Sequence, residues 1–113
     1  MTHLTQGVFE VGVSQELWGI LKDLDQEHKY WRWIKSMKEA LLFSRLCGEG
    51  ISKKMIPDYY KENYGVNNLY RYEHPEGFRS CYTLVGTSAG NIEAKILDLM
   101  SHPEYEKRFG YKM

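Results

Sequence analysis

Apolar residues recur at helical spacing in the first half of the chain and at strand spacing in much of the second half. A short apolar stretch, Gly7–Val13, suits a first strand, and Ser14 is a suitable N-cap for the element after it. Apolar positions three and four residues apart then predict one helix over Gln15–Asp25 and a second over Glu27–Leu46. Gly48-Glu-Gly50 predicts the end of the second helix, because glycine commonly supplies the left-handed C-terminal residue.

The middle of the chain is less regular, and the turn signals sharpen after it. Pro57 disfavours helix at the residue before it and can open a short helix that runs to Lys61. Gly65 then interrupts the chain. The segment His74-Pro-Glu-Gly77 has proline at its second position and glycine at its fourth, which predicts a type I turn closed by a left-handed glycine. A looser turn is expected over Thr87–Asn91.

The last part of the chain predicts one more strand and a terminal helix. Ile92–Met100 is apolar enough for a central strand, and Ser101 with Glu104 has the spacing of a capping box around Pro103. The fold class that follows is α+β. It has an N-terminal strand and two helices, then a three-stranded antiparallel β-meander and a short C-terminal helix, with the helices on one face of the sheet.

The turn also predicts the register of the hairpin. A three-residue loop pairs Tyr72 with Ser80 and Arg71 with Cys81, and strand alternation then separates two faces. The face expected to stay partly open carries Arg71, Glu73, Arg79, Cys81 and Thr83. The face expected to meet the helices carries Tyr70, Tyr72, Phe78, Ser80, Tyr82 and Leu84. A four-residue loop would instead shift the register and separate the two arginines.

Two arginines on one sheet face suit phosphate recognition, because a guanidinium group donates paired hydrogen bonds to phosphate oxygens. The alternative is a surface ion pair between Glu73 and Arg79 that has no function. The terminal helix adds His102 and Tyr105, which are three residues apart and share a face. Histidine is the side chain best matched to proton transfer near neutral pH, although each of these residues could equally serve in capping, packing or solvation.

Composition narrows the function classes without choosing one. The chain has 113 residues, which fits one domain over 1–113, and 15 basic residues balance 15 acidic residues. No apolar run is long enough for a membrane span, and the first residues lack the pattern of a signal peptide. The two cysteines suit buried thiols of a cytoplasmic protein. The four histidines lack metal-ligand spacing, so we expect neither a metal nor a cofactor.

Two segments, Gly77-Phe-Arg-Ser-Cys-Tyr82 and Ser101-His-Pro-Glu-Tyr105, make the chain resemble the small toxins of the RelE/ParE superfamily. The resemblance implies a ribosome-dependent, metal-independent mRNA endonuclease of a type II toxin-antitoxin system. It also implies an antitoxin partner that folds on contact with the open sheet face or a helical groove.

The resemblance assigns roles to particular residues. The expected catalytic residues are Arg79, His102, Tyr105 and Arg71. Apart from the resemblance, a short basic patch near the hairpin and the basic end of the chain supply the residues expected to bind RNA: Lys53, Lys54, Arg108 and Tyr111. Two other readings stay open: a ParE-like inhibitor of a topoisomerase, and a diverged domain that only binds a protein partner. The chain is neutral where that superfamily is basic, so any RNA contact depends on local clusters of charge.

Overall fold

The structure is a computed structural model that describes residues 6–110. Its elements follow one another in the order β, α, α, β, α, β, β, β, α. They are β1 (Glu10–Val13), α1 (Gln15–Leu21), α2 (Lys29–Phe43), β2 (Glu49–Ile51), α3 (Asp58–Tyr64), β3 (Leu69–Glu73), β4 (Arg79–Gly86), β5 (Ile92–Ile96) and α4 (His102–Phe109). The α+β class predicted from the sequence is confirmed, while its detailed topology differs.

Within the described residues, five strands form one mixed sheet in the order β1-β5-β4-β3-β2. Strands β2 to β5 form an antiparallel meander, and β1 lies parallel to β5. The predicted three-stranded meander therefore lacked β2, which lies where the end of a helix was expected. Gly48 is needed there for a different reason, because a Cβ atom on it would lie 2.6 Å from the Arg71 carbonyl oxygen.

Both N-terminal helices are shorter than predicted. The Ser14 cap is confirmed: its hydroxyl accepts from the Leu17 N–H at 3.0 Å and donates to the Leu97 carbonyl at 2.6 Å. The second helix begins only after His28, whose Nδ1 accepts from the Tyr30 N–H. It ends at Phe43 because the next residue has extended backbone angles.

The first strand is also shorter than Gly7–Val13. The Val8 N–H donates to the Leu41 carbonyl near the end of α2, so the chain contacts a helix at this residue, and it reaches the sheet at Phe9, whose N–H donates to the Ile92 carbonyl of β5.

The hairpin register is confirmed. Tyr72 pairs with Ser80, and Arg71 pairs with Cys81. The loop has the predicted length, with the His74 N–H donating to the Phe78 carbonyl at 2.8 Å. The predicted type I turn is wrong, because Glu76 has a φ of 63° in the third turn position, where that turn type requires negative φ.

Helices cover both faces of the sheet, which corrects the prediction of an open face. The aromatic face, which includes Tyr82, packs against α1 and α2 in a first core, as expected. On the other face α3 and α4 contribute Tyr60 and Tyr105 to a second core around Cys81 and Leu97. The prediction placed the helices on one face, whereas α3 and α4 pack on the other; α3 also extends to Tyr64 rather than ending near Lys61.

The last strand ends at Ile96, four residues before the predicted end, because a carboxylate enters the ladder. The Cys81 N–H donates to Asp98 Oδ1 at 2.8 Å, in place of a backbone carbonyl. Backbone pairing resumes where Met100 and Arg79 exchange two hydrogen bonds of 2.8 Å. Three residues, 97–99, thus oppose two residues of β4, which is the arrangement of a β-bulge.

The start of α4 agrees with the sequence. Ser101 and Glu104 form the predicted capping box, with Pro103 in the first turn. Among the described residues, every helix is too short or too polar to cross a membrane.

Two buried ionisable groups give opposite contributions to stability below neutral pH. Burial lowers the pKa of His74 from 6.5 to about 4, so this residue makes the fold less stable as the pH falls through that interval. Burial raises the pKa of the Asp98 carboxyl from 3.8 to about 6, so this group makes the fold more stable as the pH falls. The two contributions largely cancel between pH 6 and pH 4.

We therefore expect single substitutions to expose each contribution. Relative to the parent, Asp98→Asn should lose unfolding free energy as the pH falls from 6 to 4, by up to about 1.4 kcal/mol per pH unit. His74→Gln should gain it over the same interval. Urea unfolding of the three proteins across this pH range measures both differences. Difference curves that stay flat with pH would show that neither pKa is shifted.

Candidate functional site

The four residues predicted to be catalytic lie together where α4 meets the face of the sheet that carries Arg71 and Arg79. Arg79 Nη1 lies 2.8 Å from His102 Nδ1. A guanidinium group can only donate, so Nδ1 is the accepting nitrogen and the proton of the neutral ring is on Nε2. That nitrogen lies 3.0 Å from Glu106 Oε2, one helical turn further along α4. His102 is thus held between a cation and a carboxylate.

Tyr105 forms the floor of this cluster. Its side chain is 1% exposed and stacks on Phe109 with the ring centroids 4.3 Å apart. The guanidinium carbons of Arg79 and Arg71 lie 4.8 Å and 5.8 Å from the centroid of the Tyr105 ring. The ring therefore fixes where both guanidinium groups lie, and it is too deeply buried to reach a large substrate.

Arg71 already has anionic partners. Its guanidinium forms an ion pair with Glu49 on β2, and a second one, at 3.5 Å, with Glu73. The alternative prediction, an ion pair between Glu73 and Arg79, is wrong, because Glu73 pairs with Arg71 instead. The Nε atoms of Arg71 and Arg79 are buried without a hydrogen-bond partner among the described residues. Each arginine thus keeps donor capacity that the surrounding side chains leave unused.

Backbone geometry brings His102 to Arg79. Met100 and Arg79 exchange backbone hydrogen bonds, and the capping box at Ser101 starts α4 directly after this bridge. The first residue of the helix is therefore placed beside the strand arginine. On the other side lies the hairpin loop, where a Cβ atom on Gly77 would meet the His102 Cβ at 3.7 Å.

The residues predicted to bind RNA are dispersed. Lys53 and Lys54 are exposed on a 3₁₀ turn directly after β2. Tyr111 lies outside the described residues. Arg108 is only 23% exposed at its side chain, and it points to Asp98 and Glu16, at 3.6 Å and 3.9 Å. An RNA contact by Arg108 stays a prediction, and the side chain would have to leave these partners to make it.

Sequence reasoning missed the buried polar cluster that holds Arg108. The Tyr60 hydroxyl donates to Asp98 Oδ2 at 2.5 Å, and the hydroxyls of Tyr59 and Tyr64 donate to Glu16 Oε1 at 2.5 Å and 2.6 Å. Arg108 also stacks on the Tyr59 ring at 3.7 Å. One signal was present in the sequence: Asp98 is a single acidic residue inside the apolar run Ile96-Leu-Asp-Leu-Met100. An isolated acid in such a run indicates a buried, bonded carboxyl group.

Among residues 6–110, His, Cys, Asp and Glu side chains form no group suited to hold a metal ion. The cluster of Arg71, Arg79, His102 and Tyr105 offers two cations that can bind an anion and one imidazole that can accept a proton.

In comparison with known proteins, the chain matches no protein-family model, no curated protein and no solved structure.

Substitutions at Tyr105 should separate its packing from its hydroxyl group. Tyr105→Ala removes a buried aromatic ring and should cost about 3–5 kcal/mol of unfolding free energy. Tyr105→Phe keeps the ring and should cost about 1 kcal/mol or less, because only the hydroxyl group is lost. Chemical denaturation measures both. Equal losses in the two variants would mean that the hydroxyl group, rather than the ring, stabilises the cluster.

Proposed function

We propose that the chain is a RelE-like toxin of a type II toxin-antitoxin system, acting in the cytoplasm as a ribosome-dependent, metal-independent mRNA endonuclease. The observation that carries the proposal is the 2.8 Å contact between Arg79 and His102, two residues selected from separate sequence segments. The sequence resemblance supplies the reaction, and the side-chain cluster supplies groups that can perform it.

The arginines would hold the scissile phosphate. Arg79 would turn from His102 to a phosphate oxygen, and Arg71 would assist after releasing Glu49. A guanidinium aimed at a phosphate stabilises the negative charge that grows on the oxygens in the transition state. The buried Tyr105 ring beneath both groups would keep them in place, so its role is positioning rather than proton transfer.

His102 would be the general base. Once Arg79 has moved to the phosphate, the unprotonated Nδ1 can accept the proton of the ribose 2′-hydroxyl. The 2′-oxygen then forms a bond to phosphorus while the bond to the 5′-oxygen breaks, and that oxygen takes a proton from solvent. The products are a 2′,3′-cyclic phosphate and a 5′-hydroxyl. Glu106, next to Nε2, would stabilise the imidazolium formed in this step.

A second candidate function is a domain that binds a protein partner without catalysis. It is favoured by the carboxylates among the basic groups, since Glu49 and Glu73 pair with Arg71 and Glu106 pairs with His102. This reading and the ribonuclease reading differ in whether purified protein cleaves RNA on the ribosome. DNA damage signalling without mRNA cleavage would instead indicate the topoisomerase inhibitor.

We expect Arg79→Ala and His102→Ala each to abolish growth arrest and mRNA cleavage while the fold is retained. Loss of one electrostatic donor typically costs about 10²–10³ in rate, and loss of a placed base about 10²–10⁴. Cleavage of ribosome-bound mRNA by purified protein measures the rates. Lys22→Ala is the matched control. Lys22 is an exposed lysine at the end of α1, on the face of the sheet opposite to the site, so this variant should cleave at the parent rate.

Lys53→Ala should behave differently from the site variants. It should weaken RNA binding mildly and reduce the salt dependence of binding, because it removes one phosphate contact.

The assignment of Arg79 and His102 as catalytic residues is wrong if folded Arg79→Ala and His102→Ala proteins cleave at the parent rate. If the parent protein neither cleaves RNA nor slows growth, the partner-binding reading replaces the ribonuclease.

Glu49→Gln should bind RNA more tightly than the parent protein does. The substitution removes the carboxylate that pairs with Arg71 but keeps the size of the side chain, so the guanidinium no longer has to break that ion pair. Because Glu49 is exposed, we expect an increase of a few fold at most, about 1 kcal/mol or less. Fluorescence anisotropy with a short single-stranded RNA measures it. The control is Glu62→Gln, which removes an exposed carboxylate on α3. An equal gain in RNA affinity in both variants would show that the effect comes from net charge alone.

A cognate antitoxin is the expected protein partner. We expect it to bind through a segment that folds on contact. Purification from the native host at normal expression levels, followed by mass spectrometry, should recover a small partner protein with this chain. Recovery of the chain alone would contradict the prediction.

A further inference from the structure

A groove lies at the edge of the sheet farthest from Arg71, between β1, α1 and α2. Its volume is about 600 Å³, and its walls include Val11, Val13, Trp18 and Trp31. Strand β1 ends the sheet on this side, whereas β2, which carries Glu49, ends it on the other. The groove is thus separate from the site described above.

The edge strand offers free backbone groups to the groove. The Ser14 N–H donates to the Ile96 carbonyl at 2.9 Å, so Gly12, two residues earlier, also directs its N–H toward β5. Alternation along the strand then directs the backbone groups of Val11 and Val13 to the outer edge. Within residues 6–110 no further strand pairs with β1. Such an edge is a template for one added strand.

Two tryptophans form an apolar wall beside this edge. Trp18 is 50% exposed, and its ring meets the Trp31 ring edge to face at 6.2 Å. The Trp31 Nε1 donates to the Leu24 carbonyl, which holds that ring in one orientation. A large exposed aromatic beside a second, fixed aromatic is typical of a surface that receives an apolar side chain.

The rim of the groove is basic. Arg32, Lys35 and Lys38 follow one another at three-residue intervals on α2, and all three are exposed. Glu27 is the acidic residue on the lining. Because the whole chain has no net charge, this row is a local excess of positive charge rather than part of a general one.

We propose that the groove binds an acidic, strand-forming segment of a partner protein. The segment would add to the free edge of β1, place an apolar side chain against Trp18, and direct carboxylates toward Arg32, Lys35 and Lys38. Main-chain hydrogen bonds would supply affinity, and the tryptophan wall and basic row would supply specificity. This proposal rests on the groove alone and is independent of the proposed ribonuclease activity.

A peptide fits these features better than a nucleic acid does. The outer edge of a strand presents both N–H and C=O groups, and a peptide backbone pairs with both. A phosphate backbone accepts hydrogen bonds but offers no donors to the carbonyl groups. Charge complementarity alone would suit either ligand, so the free carbonyl groups decide between them.

The test is a selection from a random 12-residue peptide library displayed on phage, with the parent protein as bait. We expect the enriched peptides to carry net negative charge and alternating apolar residues, and to quench tryptophan fluorescence on binding. Hydrogen exchange with bound peptide should slow at the Val11 and Val13 amides. No enrichment, an enrichment without acidic bias, or unchanged exchange at both amides would overturn the proposal.

A charge reversal and its matched control complete the test. The double variant Lys35→Glu, Lys38→Glu should weaken binding of the selected peptides about tenfold, as expected for about 1.4 kcal/mol. The double variant Lys61→Glu, Lys107→Glu carries the same charge change on α3 and α4, at the other face of the sheet, and should bind as the parent does. Equal loss in both variants would also overturn the proposal, and so would a Lys35→Glu, Lys38→Glu protein that loses binding to a 12-nucleotide RNA but still binds the peptides.

Discussion

The structure around the candidate site depends on the contacts of one buried side chain, the carboxylate of Asp98. A charged group taken out of water costs several kcal/mol unless its oxygens are satisfied. Here one oxygen accepts the Cys81 N–H in the centre of the sheet, and the other accepts the Tyr60 hydroxyl from α3. Arg108 of α4 lies 3.6 Å away. One side chain therefore joins the sheet to both helices of the second core.

The candidate site is a consequence of this arrangement. The bulge at 97–99 lets Met100 return to pair with Arg79, and α4 begins at once, so His102 lies beside that arginine. At its other end the helix is tied by Arg108 to Asp98 and Glu16. A helix anchored at both ends keeps Tyr105 directed into the core, where its ring supports both arginines. Geometry at the site is thus set by groups that would not touch a substrate.

The sequence predicted local geometry well where a few residues determine it. A turn of known length and the alternation of the strands gave the register that places Arg71 and Arg79 on one face, and the capping box gave the start of α4. Prediction from the sequence failed where contacts between distant segments of the chain determine the local structure. Gly48-Glu-Gly50 has no strand propensity of its own and pairs only because β3 lies beside it. The position of Asp98 in the ladder likewise depends on Tyr60, which is 38 residues away in the sequence, and on Arg108 of the following helix.

The neutral net charge has a physical consequence for any ligand of the site. Each basic group there already has a partner: Glu49 and Glu73 for Arg71, and His102 for Arg79. A phosphate must displace these contacts, so part of its interaction energy is lost in breaking them, and free RNA is expected to bind weakly. A ligand held in place by a larger assembly, such as the ribosome, avoids much of the entropic cost of binding. The same partners hold the two half-buried arginines beside the Tyr105 ring before a ligand arrives, so a ligand has only to draw each guanidinium group away from its partner.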